Sequence, residues 1–290
     1  MKVLLIGYLG QLGADLKKTF AGEDLVLKDK EDLLVQNAEQ VDTLVEGENP
    51  DLILNCSAFH RVDDCEEQPG AGLAFDVNVF GVRNLALAAR KANAVLVHFS
   101  TDYVFDGPGR TPFTEDDPPC PRSVYGVSKL AGELMLQSTW EKHYICRVCG
   151  LYGYAGSRDK GSNFVETVIA RAREGRPLRI VDDQVLTPTP TLDIAESVRG
   201  LIATGRYGLY HMTSAGECSW FEFAKAIFED LGFPVDLTAV SSDAFPTKAR
   251  RPRYSVLDNR NLRAIGLPDL PAWREGLRRY LAGRAAHGRE

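Results

Sequence analysis

The sequence predicts an α/β protein, and three observations carry that expectation. An unbroken apolar run, Val3–Ile6, leads straight into a glycine-rich turn. Strand-like and helix-like segments then alternate through the first 150 residues. After Gly150 the alternation weakens into helical patterns separated by Pro- and Gly-containing connections. Together they predict a Rossmann-like, doubly wound parallel sheet over residues 1–150 and a smaller C-terminal substrate-binding lobe over 151–290, with some segments returning to the first domain.

Val3–Ile6 is apolar throughout, as a parallel strand covered on both faces requires. Gln11–Phe20 places Leu12, Leu16 and Phe20 four apart, a helical stripe. Leu25–Leu27 and Asp51–Asn55 are the next strands, the latter introduced by Pro50. A long helix is expected over Gly72–Ala92, followed by the strand Val95–Phe99. The segment Asp106–Arg122 holds Pro108, Pro112, Pro118, Pro119 and Pro121, so it reads as a loop over the site. A helix from Tyr125 to Trp140 and a strand Tyr144–Cys149 complete the first domain. Beyond it, helices are predicted over Phe164–Glu174, Leu192–Thr204 and Trp220–Leu231, and the tail Arg284–Glu290 is expected to fray.

The 290 residues include 34 Lys and Arg against 40 Asp and Glu, a net charge of −6. That sign argues against general binding to nucleic acid or to anionic membranes, both of which attract basic surfaces. No apolar run approaches the ~18 residues of a membrane span, and the first apolar stretch is too short for a secretory leader. Of the six scattered cysteines, Cys146 and Cys149 share a strand-like run, where residues three apart point to opposite faces. Neither a redox pair nor a zinc set is expected, and the protein reads as cytoplasmic.

Gly7-x-x-Gly10-x-x-Gly13 lies between the first strand and the first helix, where glycines let a backbone approach a pyrophosphate at the positive end of a helix dipole. About twenty residues on, Lys28-Asp29-Lys30 offers an acid for the ribose hydroxyls of NAD and bases for the extra phosphate of NADP, leaving NADH and NADPH both open. Tyr125 and Lys129 stand one helical turn apart, and a neighbouring cation is expected to lower the phenol's pKa. Ser100-Thr101-Asp102 ends the fourth strand on the same side of the sheet, where a hydroxyl can share a substrate oxygen with Tyr125.

These segments, together with Asn78-Val79-Phe80-Gly81 and the run from Ser100 to Gly107, resemble the extended short-chain dehydrogenase/reductases. Within them the chain is most similar to the dTDP-4-dehydrorhamnose reductase family, through Gly7–Gly13, Tyr125–Glu133, Gly161–Phe164, Asp182–Gln184 and Arg251–Asp258, in order. The resemblance implies NAD(P)H-dependent reduction of the 4-keto group of a nucleotide-linked deoxysugar, dTDP-4-dehydrorhamnose to dTDP-rhamnose. It implies Tyr125 as proton donor, Lys129 as its electrostatic partner and ribose ligand, and Thr101 as the group that tunes Tyr125. Gly7, Gly10, Gln11, Leu12, Gly13, Asp29, Ala58, Phe59, His60 and Phe99 would contact the cofactor. Thr101, Asp102, Asn163 and Gln184 would contact the substrate, and Asn78 would support the catalytic helix. A homodimer is possible.

Dehydratases of this superfamily carry Glu after Thr-Asp; Tyr103 stands there instead, which disfavours elimination. Gly150 occupies the place of a family Trp and leaves the exact sugar open. Asp15 has no companion glutamates matching a shared divalent-ion site, so no metal is expected. Two other readings stand beside the reductase: a non-catalytic subunit resembling the regulatory subunit of methionine adenosyltransferase, and a nucleotide-sugar epimerase. His98 and His211 read as core residues, Asp63–Glu67 as an acidic helix start, and Trp220, Phe221, Phe223 and Phe228 as helix packing. Arg250, Arg251 and Arg253 either face a diphosphate or form a solvated run.

Overall fold

Side chains alternate across a strand, so the apolar run at the N-terminus feeds two cores at once. In β1 (Lys2–Ile6), Val3 and Leu5 enter one apolar cluster and Leu4 and Ile6 the other. The computed structural model describes residues 1–107, 111–156 and 161–288. Pro108 of the proline-rich loop and the last two residues of the tail lie outside them.

Strands β2 (Asp24–Lys28), β3 (Leu52–Asn55), β4 (Val95–Thr101) and β5 (His143–Val148) join β1 in one parallel sheet. Helix α1 (Gln11–Thr19) covers the face with Val3 and Leu5. The other face carries α2 (Ala38–Glu48), α4 (Val82–Ala92) and α5 (Val124–Thr139). Because the chain leaves β1 for β2 on one side and returns with β3 on the other, the connections part between β1 and β3, and a crevice opens there at the carboxyl ends.

The single helix expected over Gly72–Ala92 starts earlier, as α3 (Gly70–Phe75), and passes through a π-helical turn, Asp76–Gly81, into α4. Helix α2 was not legible as a stripe; it starts at Asn37, whose side chain accepts from the Gln40 amide.

Past Gly150 come β6 (Leu151–Tyr152), α6 (Phe164–Arg173), β7 (Leu178–Val181), β8 (Val185–Leu186), β9 (Thr189–Pro190) and α7 (Thr191–Ile202). Helix α7 packs Ile194, Val198 and Leu201 into the same cluster as Leu12 and Leu16 of α1. Next, β10 (Gly208–His211) pairs in parallel with β5, giving the sheet order β10-β5-β4-β3-β1-β2. The remaining elements are β11 (Cys218–Ser219), α8 (Trp220–Leu231), β12 (Leu237–Val240), α9 (Arg260–Ala264) and α10 (Trp273–Gly283). A separate apolar cluster unites Val165 and Ile169 of α6, Leu178 of β7, Phe223 and Ile227 of α8 and Leu277 of α10.

Within the described part of the C-terminal tail, residues 284–288, the chain is tied down rather than frayed. Arg284 is buried and forms a two-point ion pair with Glu166 on α6, and the His287 ring stacks on Tyr154 at 3.8 Å. A guanidinium fork on a carboxylate ties the segment down.

Candidate active site

The turn from β1 into α1 is held by backbone hydrogen bonds: Gly7 N–H donates to Lys28 O (2.8 Å) and Gly10 N–H to Gly7 O (3.1 Å). Gly7 has φ +81°, a conformation that disfavours other residues, and a Cβ on Gly13 would lie 2.1 Å from Gly7 O. No side chain caps α1 at Gly10, so its first N–H groups face the crevice without a side-chain acceptor. Replacing Gly13 by Ala must displace backbone; dinucleotide affinity is expected to fall at least about tenfold, with a stability loss of ~1–3 kcal/mol. Nucleotide titration by nicotinamide fluorescence checks the first figure and urea unfolding the second.

Asp29, at the end of β2, is buried; its carboxylate accepts from the Leu9 N–H (3.2 Å) and the Lys30 N–H (2.8 Å). It therefore pins the glycine turn from behind, beside the exposed Lys30.

A cavity of ≈ 1460 Å³ runs from this turn across the sheet ends to the second lobe. Gly7, Gly10, Gln11, Leu12, Gly13, Ala58, His60 and Phe99 line its first part, Tyr125 and Lys129 its middle, and Asn163 and Gln184 its far side. Phe59 is not on the wall; its backbone N–H donates to Asn78 Oδ1 (2.8 Å) and its carbonyl accepts from Asn78 Nδ2 (3.0 Å). Asn78, fully buried inside the π-helical turn, also donates to Ser128 Oγ on α5 (3.0 Å), so one carboxamide ties the loop after β3 to the helix bearing Tyr125 and Lys129.

Thr101 and Asp102 sit behind Tyr125. Thr101 Oγ1 donates to Asp102 Oδ1 (3.1 Å) and accepts from the Tyr103 N–H (3.2 Å), and Asp102 Oδ2 accepts from Ser255 Oγ (2.6 Å). Asp102 is buried, and desolvation raises its pKa against the pull of these hydrogen bonds. Its carboxylate thus clamps the end of β4 to the C-terminal segment.

The electrostatics correct one expectation. The Tyr125 phenol is pushed up, not down: desolvation dominates, and a hydrogen bond with Thr101 only partly offsets it. Lys129 directs its Nζ to Phe99 O (2.6 Å) and His98 Nε2 (3.3 Å), and burial brings its pKa down to about 8. A phenol kept neutral is an acid, the form a ketone reduction requires. Tyr103 packs edge-on against Tyr125, with ring centroids 5.6 Å apart, and desolvation holds its phenol at about 12, beside Arg251.

On the lobe side, Asn163 caps α6: Oδ1 accepts from the Glu166 N–H, while Nδ2 donates to Gly153 O and Tyr280 OH. Its carboxamide is committed to shaping the wall. Gly150 has φ +56°, and a Cβ there would lie 2.9 Å from Pro188 Cα and 3.0 Å from Leu186 Cδ1. No aromatic side chain fits at this position, because the β8–β9 connection already fills it. Arg250, Arg251 and Arg253 all line the cavity while Arg250 and Arg253 stay solvent-exposed, so both readings of this run stand; Arg251 pairs with Asp63 (2.8 Å) and Arg250 with Asp106 (3.3 Å).

The acidic run from Asp63 is likewise more than a helix start. Its carboxylates reach other segments: Glu66 accepts from the Val124 N–H at the start of α5, and Glu67 pairs with Lys248. Trp220, read as packing, is half-buried on the cavity wall against Phe164, joined there by Arg171 and Arg179. The signal available for Trp220 was its place directly after the capping residue Ser219, at the first position of α8. Asp15 is buried and accepts from Thr191 Oγ1 (2.6 Å) and Lys18 Nζ (3.2 Å).

A glycine turn and a Tyr-x-x-x-Lys helix facing one cavity, at the carboxyl ends of a doubly wound sheet, define a Rossmann-type reductase of the extended short-chain class. The chain belongs to the RmlD substrate binding domain family, whose model matches residues 1–285. It is 38% identical to the spore coat polysaccharide biosynthesis protein SpsK of Bacillus subtilis (strain 168), over 98% of each chain. It is 35% identical to dTDP-4-dehydrorhamnose reductase of Escherichia coli (strain K12), over 97% of each chain. The crystal structure of dTDP-4-dehydrorhamnose reductase from Bacillus anthracis str. Ames in complex with NADP superposes with a TM-score of 0.92 at 37% identity, covering 97% of this chain and 98% of that one.

Proposed function

We infer that this protein reduces the 4-keto group of dTDP-4-dehydrorhamnose with NADPH, giving dTDP-rhamnose. The observation that carries this reading is Tyr125, a neutral acid on the wall of the same cavity as the glycine turn, in a chain matched end to end by reductases of that sugar.

The cradle fits a dinucleotide: a Cβ on Gly13 would occupy the turn, and the uncapped N-terminus of α1 suits a diphosphate. Gly7, Gly10–Gly13, Ala58, His60 and Phe99 would hold it, and when bound it supplies the hydride. Tyr125 gives its proton to the carbonyl oxygen as that oxygen gains charge. Thr101, fixed by Asp102 and the Tyr103 amide, orients the phenol. These contacts strengthen as charge develops, which lowers the barrier rather than merely holding the ketone. Arg250, Arg251 and Arg253 would meet the substrate's diphosphate, and Gln184 its sugar. Asn163, through the end of α6, sets the shape of that wall.

The test is a stopped assay with NADPH and, separately, NADH, against dTDP-4-dehydrorhamnose and other 4-ketosugar nucleotides. Oxidation of NADPH with stoichiometric alcohol product supports the reading. Absence of oxidation with every ketosugar, with stable capture of another protein, would favour the regulatory-subunit alternative. Tightly retained oxidised cofactor without net consumption would favour the epimerase.

Two coarser features belong to the same reading. Among the described residues no helix is long and apolar enough to cross a membrane, and the proposed site of action is the cytoplasm. A homodimer is proposed through the exposed Phe80, Val127 and Leu134 on the π-helical turn and α5; sedimentation at monomer mass over micromolar concentrations rejects it.

A further inference from the structure

A buried hydrogen-bond chain runs from β3 through β4 to Lys129, and its proton inventory has one solution. Asn55 Oδ1 accepts from both the Ser57 N–H (3.0 Å) and the Ser57 hydroxyl (2.5 Å), which identifies it as the oxygen. Nδ2 is therefore the donor, and it points at His98 Nδ1 (3.1 Å). A neutral imidazole that accepts at Nδ1 carries its proton on Nε2. That N–H faces Lys129 Nζ at 3.3 Å. Asn55, His98 and Lys129 are each 0–1% exposed, so the arrangement is only weakly screened.

We propose that His98 is a positioning residue for the reduction: locked by Asn55 with its proton on Nε2, it presents a donor to Lys129 and loosens the hold of that amine on its own proton. An ammonium at Nζ has a good acceptor in Phe99 O (2.6 Å) but meets a second donor at His98, whereas an amine offers His98 its lone pair. His98 itself stays neutral, because burial and the nearby Lys129 both oppose its charging.

The other groups acting on Lys129 do not replace this effect. Glu133, one turn along α5, favours the ammonium but is engaged by Arg147 at 2.7 Å. Cys56, after β3, would favour it only as a thiolate, and desolvation keeps its thiol neutral. Tyr125, on the same helix, is likewise a neutral phenol. Desolvation already brings the Lys129 pKa down to about 8, close enough to neutrality to release a proton to Tyr125 after each turnover and regain one from solvent, and the His98 donor acts in the same direction.

The inference rests on the reductase reading for its role in turnover, but its first test does not. With ¹⁵N-labelled histidine and no substrate, the His98 ring is expected to show a protonated Nε2 and a bare Nδ1 from pH 6 to 9. A proton on Nδ1, or titration near ~6.5 as for a free imidazole, overturns the proposal whatever the protein reduces. The second test is the pH profile of kcat/KM. The wild-type rate is expected to fall as pH rises through about 8, as Lys129 loses its charge. His98→Phe removes the opposing donor and should move that limb upward by about one pH unit. Asn55→Leu, which frees the ring to turn its lone pair toward Lys129, should move it in the same direction and serves if His98→Phe does not fold. A limb unmoved in a folded variant that still binds NADPH overturns the proposal, since loss of a purely structural contact lowers the rate without displacing the profile.

Discussion

Tyr125→Phe is expected to lower kcat by ~10²–10⁴-fold while leaving NADPH affinity nearly unchanged. The substitution removes one oxygen, the proposed proton donor. The ring packing against Tyr103, at 5.6 Å between centroids, is retained, so the helix need not move. Single-turnover kinetics with the 4-ketosugar nucleotide measure the rate, and nicotinamide fluorescence measures binding. A rate within a fewfold of wild type would mean that another group protonates the alkoxide. Because desolvation holds the phenol well above its ordinary pKa, Tyr125 is its own acid across the neutral range. The expected pH limb near 8 is therefore assigned to Lys129. The sign follows from charge: burial penalises the ammonium, so Lys129 is cationic below that pH and neutral above it.

Arg147→Ala is expected to destabilise the fold by ~3–5 kcal/mol, the usual consequence of leaving one member of a buried ion pair alone. Arg147 on β5 and Glu133 on α5 are 3% and 1% exposed, with contacts of 2.7 and 3.0 Å, and the guanidinium also lies 5.0 Å from the Phe105 ring centroid. The pair fastens the helix that carries Tyr125 and Lys129 to the sheet beneath it. Urea unfolding with intact slope gives the loss directly. The double variant Arg147→Met, Glu133→Leu should recover most of it, because two apolar groups of similar volume leave no charge stranded. A single variant as stable as wild type would show that water reaches Glu133.

Much of the architecture was readable because its causes are local. The apolar run at Val3–Ile6, the four-residue spacing of Leu12, Leu16 and Phe20, and the helical pattern of Trp220–Leu231 each depend on a few neighbouring residues. The elements missed were short or mixed in pattern. Helix α2 buries only Val41 and Val45, and β10 is four residues long and recognisable chiefly by its partner β5. Within the site, the glycine turn, Tyr125 and Lys129 were legible as motifs. The commitments of Asn163 to the α6 cap and of Asp102 to Ser255 were not, because their partners lie on other segments.

By itself the sequence determined the alternation of strands and helices in the first half, the turn that can receive a diphosphate, and the presence of a phenol and an amine one helical turn apart. Backbone preferences and apolar spacing act over a handful of residues, so they are written where they operate. Only the tertiary structure decided the surroundings of those groups: that desolvation keeps the Tyr125 phenol neutral, that burial lowers the pKa of Lys129, and that His98 lies against its amine. Protonation answers to the dielectric and to partners brought from as far as 153 residues away, as Ser255 is to Asp102, and no local pattern contains either.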